Sequence, residues 1–218
     1  MTKACPTDDA PGWESRAEAP LARIADAIAD PGWCVTPGFL SPEEVSALRV
    51  ETEALGAQGA FRPAGIGRGQ GLAVNPGVRS DQIHWVDPEP SGPAIRGYLT
   101  RLDALRQTLN RELFLGLADF EGHLAVYAPG SFYRRHLDQF HGVERRVLSC
   151  ILYLNTGWQS ADGGALRIYV DSADPERFAE IEPQGGTLVT FLSARFEHEV
   201  MPARRKRLSL TGWFRRRA

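Results

Sequence analysis

The amino-acid sequence predicts a mainly β jelly roll, two facing sheets supported on one side by α-helices. Up to Leu113 the apolar residues recur at helical spacing. After it the chain turns to short segments rich in Val, Ile, Leu, Tyr and Phe, broken by Gly, Pro, Asp and Asn. With 218 residues, 43% of them hydrophobic and 24% charged, the chain has the size and composition of one globular domain with a proper core.

Residues 1–20, rich in Pro, Ala, Asp and Glu without apolar periodicity, read as a mobile N-terminal arm. The domain then occupies 21–218, with helical support over 21–113 and the jelly-roll core over 114–214. Leu21 to Ile28 has the spacing of a short helix stopped by Pro31-Gly32, and Trp33-Cys34-Val35 follows as a strand. Ser41-Pro42-Glu43-Glu44 carries an N-cap, a first-turn proline and a carboxylate at the third helical position, which starts a helix running to about Leu55. A longer helix is expected from Pro93 to Leu113, burying Ile95, Leu99, Leu102, Leu105 and Leu109. The expected strands are Gly122–Tyr127, Arg134–Asp138, Arg146–Leu154, Ala165–Val170, Gly186–Phe191, His198–Val200 and Leu208–Phe214.

A net charge of -2 gives no global reason to expect nucleic acid or an anionic membrane as partner. The runs Arg204-Arg205-Lys206-Arg207 and Arg215-Arg216-Arg217 read as a solvated turn and tail, because no stacking aromatics are interleaved with the last three arginines. Cys5, Cys34 and Cys150 form neither a disulfide framework nor a CxxC metal knuckle, which fits a reducing compartment. No apolar stretch is long enough to cross a bilayer, and the N-terminal residues lead into Asp8-Asp9 rather than an apolar signal core. The expected location is the cytoplasm.

The chemistry-bearing pattern is His136-Leu137-Asp138, with His198 far downstream. Two histidines and one carboxylate make the facial triad that holds non-haem Fe(II) and leaves coordination positions open for substrate and oxygen. On a strand, residues two apart share a face, so His136 and Asp138 can reach one metal while Leu137 points away. A β-hairpin turning at Pro202-Ala203 would set His198 opposite Arg207 on that face; a longer turn through Arg204-Arg205 would change this register. Arg207 in that position could clasp a dicarboxylate in bidentate geometry, with Ser209, Thr211 and Trp213 on the same face. Its alternative is one more member of a basic turn. His84 and His123 read as strand residues with satisfied ring nitrogens, and His141 as a solvated loop residue.

From Leu124 to Trp213 the chain resembles the 2-oxoglutarate- and Fe(II)-dependent prolyl 4-hydroxylases, most closely the hypoxia-inducible-factor type and its bacterial counterparts. The matching pieces are Tyr127-Ala128-Pro129-Gly130, Tyr133-Arg134-Arg135-His136-Leu137-Asp138, Cys150-Ile151-Leu152-Tyr153-Leu154-Asn155, Gly163-Gly164-Ala165-Leu166-Arg167-Ile168, Ile181-Glu182-Pro183, Glu197-His198-Glu199-Val200 and Arg207-Leu208-Ser209-Leu210-Thr211-Gly212-Trp213. Upstream, Arg79 to Val86 is similar to the strand after that family's substrate loop. The resemblance implies a double-stranded β-helix in which His136, Asp138 and His198 bind Fe(II). It implies that Arg207, assisted by Tyr153, pairs with the distal carboxylate of 2-oxoglutarate, and that Tyr127, Tyr133, Thr211 and Trp213 border the pocket. It implies O2 as oxidant, succinate and CO2 as products, and ascorbate as a reductant. Halogenases of similar fold have a small residue in place of the carboxylate that Asp138 supplies here.

On the substrate side, the resemblance makes the glycine-rich run Phe61 to Gly71 a lid over a peptide and pairs Asp81 with Arg146 in a salt bridge beside Arg79. The implied partner is a protein or peptide with a target proline, elongation factor Tu among the candidates. The alternatives are a hydroxylase of a small molecule such as a free amino acid, and a jelly-roll sensor whose metal is structural.

Overall fold

The computed structural model describes residues 14–66, 73–87, 91–139 and 145–217. Three helices, α1 (Glu14–Ala29), α2 (Pro42–Ala57) and α3 (Pro93–Leu113), pack beside eleven strands. The strands are β1 (Trp33–Thr36), β2 (Arg62–Pro63), β3 (Gln82–Val86), β4 (Leu117–Tyr127), β5 (Tyr133–His136), β6 (Arg146–Tyr153), β7 (Leu166–Tyr169), β8 (Phe178–Ile181), β9 (Leu188–Leu192), β10 (His198–Val200) and β11 (Arg207–Arg216). They form a seven-stranded sheet in the order β1-β9-β6-β11-β4-β3-β2 and a four-stranded sheet in the order β5-β10-β7-β8. All the pairings between these strands are antiparallel. The jelly roll expected from the sequence is therefore the fold. Its larger sheet also recruits β1, β2 and β3 from the half expected to be helical support.

The central strands of the larger sheet, β9, β6, β11 and β4, are buried on both faces, and their alternation sorts side chains between two cores. Leu124 of β4, Leu148, Cys150 and Leu152 of β6, and Leu208, Leu210 and Phe214 of β11 join Ile24, Leu48, Leu102, Leu105 and Leu109 of the helices. Their neighbours Ala125, Tyr127, Ile151 and Tyr153 face inward, where they meet Leu166, Ile168, Ile181, Phe191, Phe196 and Val200. The outer core fixes the sheet on the helices. The inner one sets how far apart the two sheets stand, and so the width of whatever lies between them.

Local signals account for the helix starts. Ser41 Oγ accepts from the Glu44 backbone N–H at 3.3 Å while Glu44 Oε2 accepts from Ser41 N at 2.8 Å, the reciprocal capping box expected from the sequence. Helix α3 has Gly92 at its N-cap position, which has no side chain to cap with. Glu51 of α2 does so instead, accepting from Ala94 N at 2.7 Å and Ile95 N at 3.1 Å. Its carboxylate also faces the positive end of the helix dipole.

Several expectations need correction. Helix α1 starts at Glu14, so the expected arm over 1–20 is helical from that residue on, and its part at 1–13 lies outside the described residues. Strand β5 stops at His136, short of the expected end at Asp138, and β8 was not foreseen. The segment from His198 to Arg207 is no hairpin: β10 belongs to the smaller sheet and β11 to the larger, so the chain crosses between sheets there. Glu51→Ala should destabilise the protein by about 1–2 kcal/mol, the worth of a helix cap with its charge, read as a lower urea midpoint at unchanged slope.

Candidate active site

A cavity of about 630 Å³ opens between the two sheets. The smaller sheet contributes two imidazoles to it. In the antiparallel register of β10 and β5, His198 stands directly opposite His136, and their ring centroids are 4.2 Å apart. His136 Nδ1 donates to the Arg134 carbonyl at 2.7 Å, and His198 Nδ1 donates to the Phe196 carbonyl at 3.2 Å. A carbonyl only accepts, so both protons sit on Nδ1 and both Nε2 lone pairs are free for a ligand. Burial, joined by the neighbouring His136, lowers the His198 pKa to about 4, which keeps that ring neutral at pH 7.

Asp138 completes the cluster. It lies beyond the end of β5, so strand alternation does not set its direction as the sequence reading assumed, and Leu137 lines the cavity too. Its placement comes from the opposite sheet. Ser149 Oγ on β6 donates to Asp138 Oδ2 at 2.6 Å and is itself 2.9 Å from Ser193 Oγ. Asp138 Oδ1 is 3.7 Å from His136 Nε2, and Oδ2 is 3.5 Å from His198 Nε2. Burial opposes ionisation of this carboxyl, yet His198, His136 and the Ser149 hydroxyl together hold it well below the usual carboxylate range. The three ligand atoms lie within 4.8 Å of one another. Two imidazoles and one ionised carboxylate, all preset by hydrogen bonds, are the donor set of a divalent metal with open positions.

At the other end of the cavity stands Arg207, 1% exposed. Its Nε donates to the Gly164 carbonyl at 2.9 Å, and its guanidinium packs over the rings of Tyr127 and Tyr153 at 4.9 and 5.0 Å. One terminal nitrogen has no hydrogen-bond partner, nor does the buried Tyr153 hydroxyl. Burial pushes the Tyr153 phenol up to about 12 against the opposing charge of Arg207. Among the described residues no carboxylate pairs with Arg207. A buried cation with an unused fork and a neighbouring phenol fits a carboxylate brought by a ligand.

Ten of the twelve residues singled out from the sequence line this cavity: His136, Asp138, His198, Arg207, Tyr127, Tyr133, Thr211, Arg79, Arg146 and Trp213. Tyr153 stands behind Arg207, and Asp81 behind Arg79. The expected Asp81–Arg146 bridge is replaced by two others. Asp81 takes the Arg79 guanidinium in a fork, at 2.8 Å to Nε and 2.6 Å to a terminal nitrogen. Arg146 reaches Glu121 at 2.8 Å and covers the Trp213 ring at 3.4 Å from its centroid. Proximity decides the exchange, since Arg79 is two residues from Asp81 and Glu121 lies on β4 at the register position of Trp213. Tyr133 stacks on His136 at 3.6 Å between centroids and under the Arg79 guanidinium at 4.2 Å.

The sequence reading missed Ser149 and Gly164, whose roles follow from long-range pairing that no local signal carries. It also took both His84 and His123 as satisfied. His84 Nδ1 does bond the Ala60 carbonyl at 3.3 Å, but buried His123 lines the cavity with Nδ1 unpartnered. Of the expected lid, Arg62, Pro63, Gly65 and Ile66 line the cavity, and a pair of backbone hydrogen bonds between Ile66 and Ala73 closes its stem. Residues 67–71 of the lid and His141 lie outside the described residues.

Residues 122–215 match the family described as the 2OG-Fe(II) oxygenase superfamily. The chain is 46% identical to a Pseudomonas putida prolyl-4-hydroxylase of known structure, with a TM-score of 0.81 over 91% of this chain and 100% of that one. A Trichoplax adhaerens prolyl hydroxylase, solved with a hypoxia-inducible-factor peptide fragment, superposes with a TM-score of 0.83 at 25% identity over 95% of this chain and 94% of that one. Human Egl nine homolog 1 is 32% identical over 191 residues, 84% of this chain and 43% of that protein. The chain spans about half the length of the curated relatives it matches.

Ser149→Ala removes the hydrogen bond that aims Asp138. Divalent-metal affinity should fall about 10–100-fold, the usual effect of losing an outer partner of a ligand, as read by titration calorimetry with Fe(II) or Mn(II), while the melting temperature changes little.

Proposed function

This chain belongs to the 2OG-Fe(II) oxygenase superfamily, and from that premise we propose that it hydroxylates a prolyl residue of a protein or peptide, using Fe(II), 2-oxoglutarate and O2. The observation that carries the reading is the pairing, in one cavity, of a two-histidine, one-carboxylate cluster with a buried arginine that has no carboxylate partner among the described residues. A metal-binding sensor needs no buried guanidinium facing its metal. An enzyme using a dicarboxylic co-substrate does.

On this reading His136, Asp138 and His198 hold Fe(II), and Arg207 with the Tyr153 hydroxyl takes the distal carboxylate of 2-oxoglutarate. Bound together, iron and co-substrate supply oxygen activation coupled to decarboxylation, with succinate and CO2 released. The protein supplies order and dryness. Asp138 brings one negative charge against the two of the metal. Arg207 fixes the direction in which a dicarboxylate enters, because its fork is the only end of the cavity built for a bidentate anion among the described residues. Tyr127 and Thr211 form walls between the two ends. Arg79, Asp81, Tyr133, Arg146 and Trp213 shape the substrate side, where each charge is already neutralised by a neighbour. Such a surface suits an uncharged imino ring better than a charged amino-acid backbone. This favours a peptidyl proline over a free amino acid.

No helix among the described residues is long and apolar enough to cross a membrane. Cys34 and Cys150 are free thiols, which supports the reading of a cytoplasmic protein.

The test is incubation of the Fe(II)-loaded protein with 2-oxoglutarate, O2, ascorbate and proline-containing peptides, with elongation factor Tu as a protein candidate. Mass spectrometry should find one oxygen added to a proline, with succinate formed in equal amount. Free proline hydroxylated in preference to peptide would overturn the peptide reading. Asp138→Ala should abolish succinate formation, and Arg207→Leu should raise the KM for 2-oxoglutarate by about 100-fold or more, the loss of a buried charge-assisted pair. Wild-type turnover in Asp138→Ala, or an unchanged KM for 2-oxoglutarate in Arg207→Leu, would remove that residue from the site.

A further inference from the structure

His123 has no place in the reading above. It is a buried histidine of β4, 3% exposed, that forms no hydrogen bond within the described protein while lining the cavity. Its ring is held between Trp85 and Trp213, with centroids at 5.1 and 5.5 Å. Burial, reinforced by the nearby Arg79, lowers its pKa to about 3, so at pH 7 the ring is neutral, with one N–H donor and one lone pair. A buried polar ring without a partner costs stability unless a ligand completes it.

The sheet register says which ligand it faces. The inward-facing residues of β11 run Arg207, Ser209, Thr211, Trp213; on β4 the partner of Arg207 is Tyr127 and the partner of Thr211 is His123. On the other side of β11, Ser149, which aims Asp138, stands opposite Trp213. The row of His123, Thr211 and Ile151 is thus the step between the arginine end of the cavity and the end that carries the metal ligands. At about 3.3 Å per residue, four residues separate it from the Arg207 row by about 13 Å of strand. The exposed aromatic at the mouth is Trp85, 48% exposed, and His123 lies behind it. An arriving peptide meets the tryptophan first.

We propose that His123 is a binding residue for the metal-chelating end of 2-oxoglutarate, donating a hydrogen bond to the carboxylate oxygen that the metal leaves uncoordinated. This rests on the function proposed above. A 2-oxo acid that chelates through its oxo group and one carboxylate oxygen keeps a second carboxylate oxygen, and that charged atom calls for a hydrogen-bond donor from the cavity wall. Arg79 and Arg146 already hold Asp81 and Glu121. Thr211 shares its hydroxyl with Ser209 at 3.5 Å. His123 brings an uncommitted N–H.

The experiment is anaerobic titration of the Fe(II)-loaded protein with 2-oxoglutarate, followed through the visible charge-transfer band of the chelate. His123→Leu, which keeps bulk and removes both nitrogens, should weaken 2-oxoglutarate binding by about 10–100-fold, the size of one hydrogen bond to a charged group, and should shift the band. His123→Gln, which keeps a donor, should stay within about threefold of the wild type. Fe(II) affinity and the affinity for a capped proline peptide should not change in either variant. Unaltered 2-oxoglutarate affinity and band position in His123→Leu would overturn the proposal, as would a loss confined to peptide affinity. Loss of Fe(II) affinity in both variants would overturn it too, by marking the ring as packing. A wild-type protein with no 2-oxoglutarate-dependent band defeats the co-substrate reading itself, a result independent of either variant.

Discussion

A guanidinium that is 1% exposed and has no carboxylate partner among the described residues is the constraint around which this pocket is organised. Charge out of water is costly, and the protein offsets only part of the cost: one backbone carbonyl at 2.9 Å and two aromatic faces at about 5 Å. Apolar substitution at such a position is often neutral or stabilising for the fold. Arg207 therefore makes sense as a group whose remaining hydrogen bonds are reserved for a ligand, and the stability it forgoes in the free protein returns as affinity.

The division of labour between sheets follows from this. Arg207, the proposed anchor, belongs to the larger sheet, which the helices pin from outside, and the two histidines belong to the smaller sheet, where they face each other in register. Only Asp138 joins the two, carried by the loop after β5 but held by Ser149 of β6. Distance between metal and anchor is thus set by the core between the sheets, in which Phe191 and Ile168 are fully buried. A close-packed core resists small changes of spacing, which is what a site of two separated ends requires. Loosening that core should harm co-substrate binding before it harms either end alone.

How much of this was legible in the sequence depended on the range of the interaction. The capping box of α2 and the bounds of α3 are local and were readable residue by residue. The cluster of His136, Asp138 and His198 was readable because two of its members stand two residues apart in sequence and the third sits in a recognisable motif. The reason given for their convergence was not the right one: strand alternation does not aim Asp138, a serine eleven positions away does. Long-range pairings were invisible in the same way. Arg79 and Arg146 were both noticed beside Asp81, but which of them takes it depends on where Glu121 falls across β4 and β11, and β8, Phe178–Ile181, is too short to announce itself. Glu51 capping α3 belongs to this class, since the cap and the helix it serves are 43 residues apart.

The crossing between β10 and β11 explains why a wrong register still brought His198 and Arg207 to one cavity. Read as a hairpin, it put His198 and Arg207 side by side on one sheet; in fact the chain leaves the smaller sheet and enters the larger, so the two residues face a common space from opposite walls. Two glycines permit the crossing. Gly163 and Gly164 have φ of +66° and +68°, and a Cβ on either would come within 2.8 Å of Pro202 O or of the Ala203 side chain. Because neither has one, Pro202-Ala203 can lie against this turn, with Gly164 N–H bonded to the Pro202 carbonyl at 3.0 Å. The same close approach delivers the Gly164 carbonyl to Arg207 Nε. The turn that carries the chain from the metal wall to the anchor wall is therefore also the contact that aims the anchor, and a side chain at Gly164 would disturb both at once.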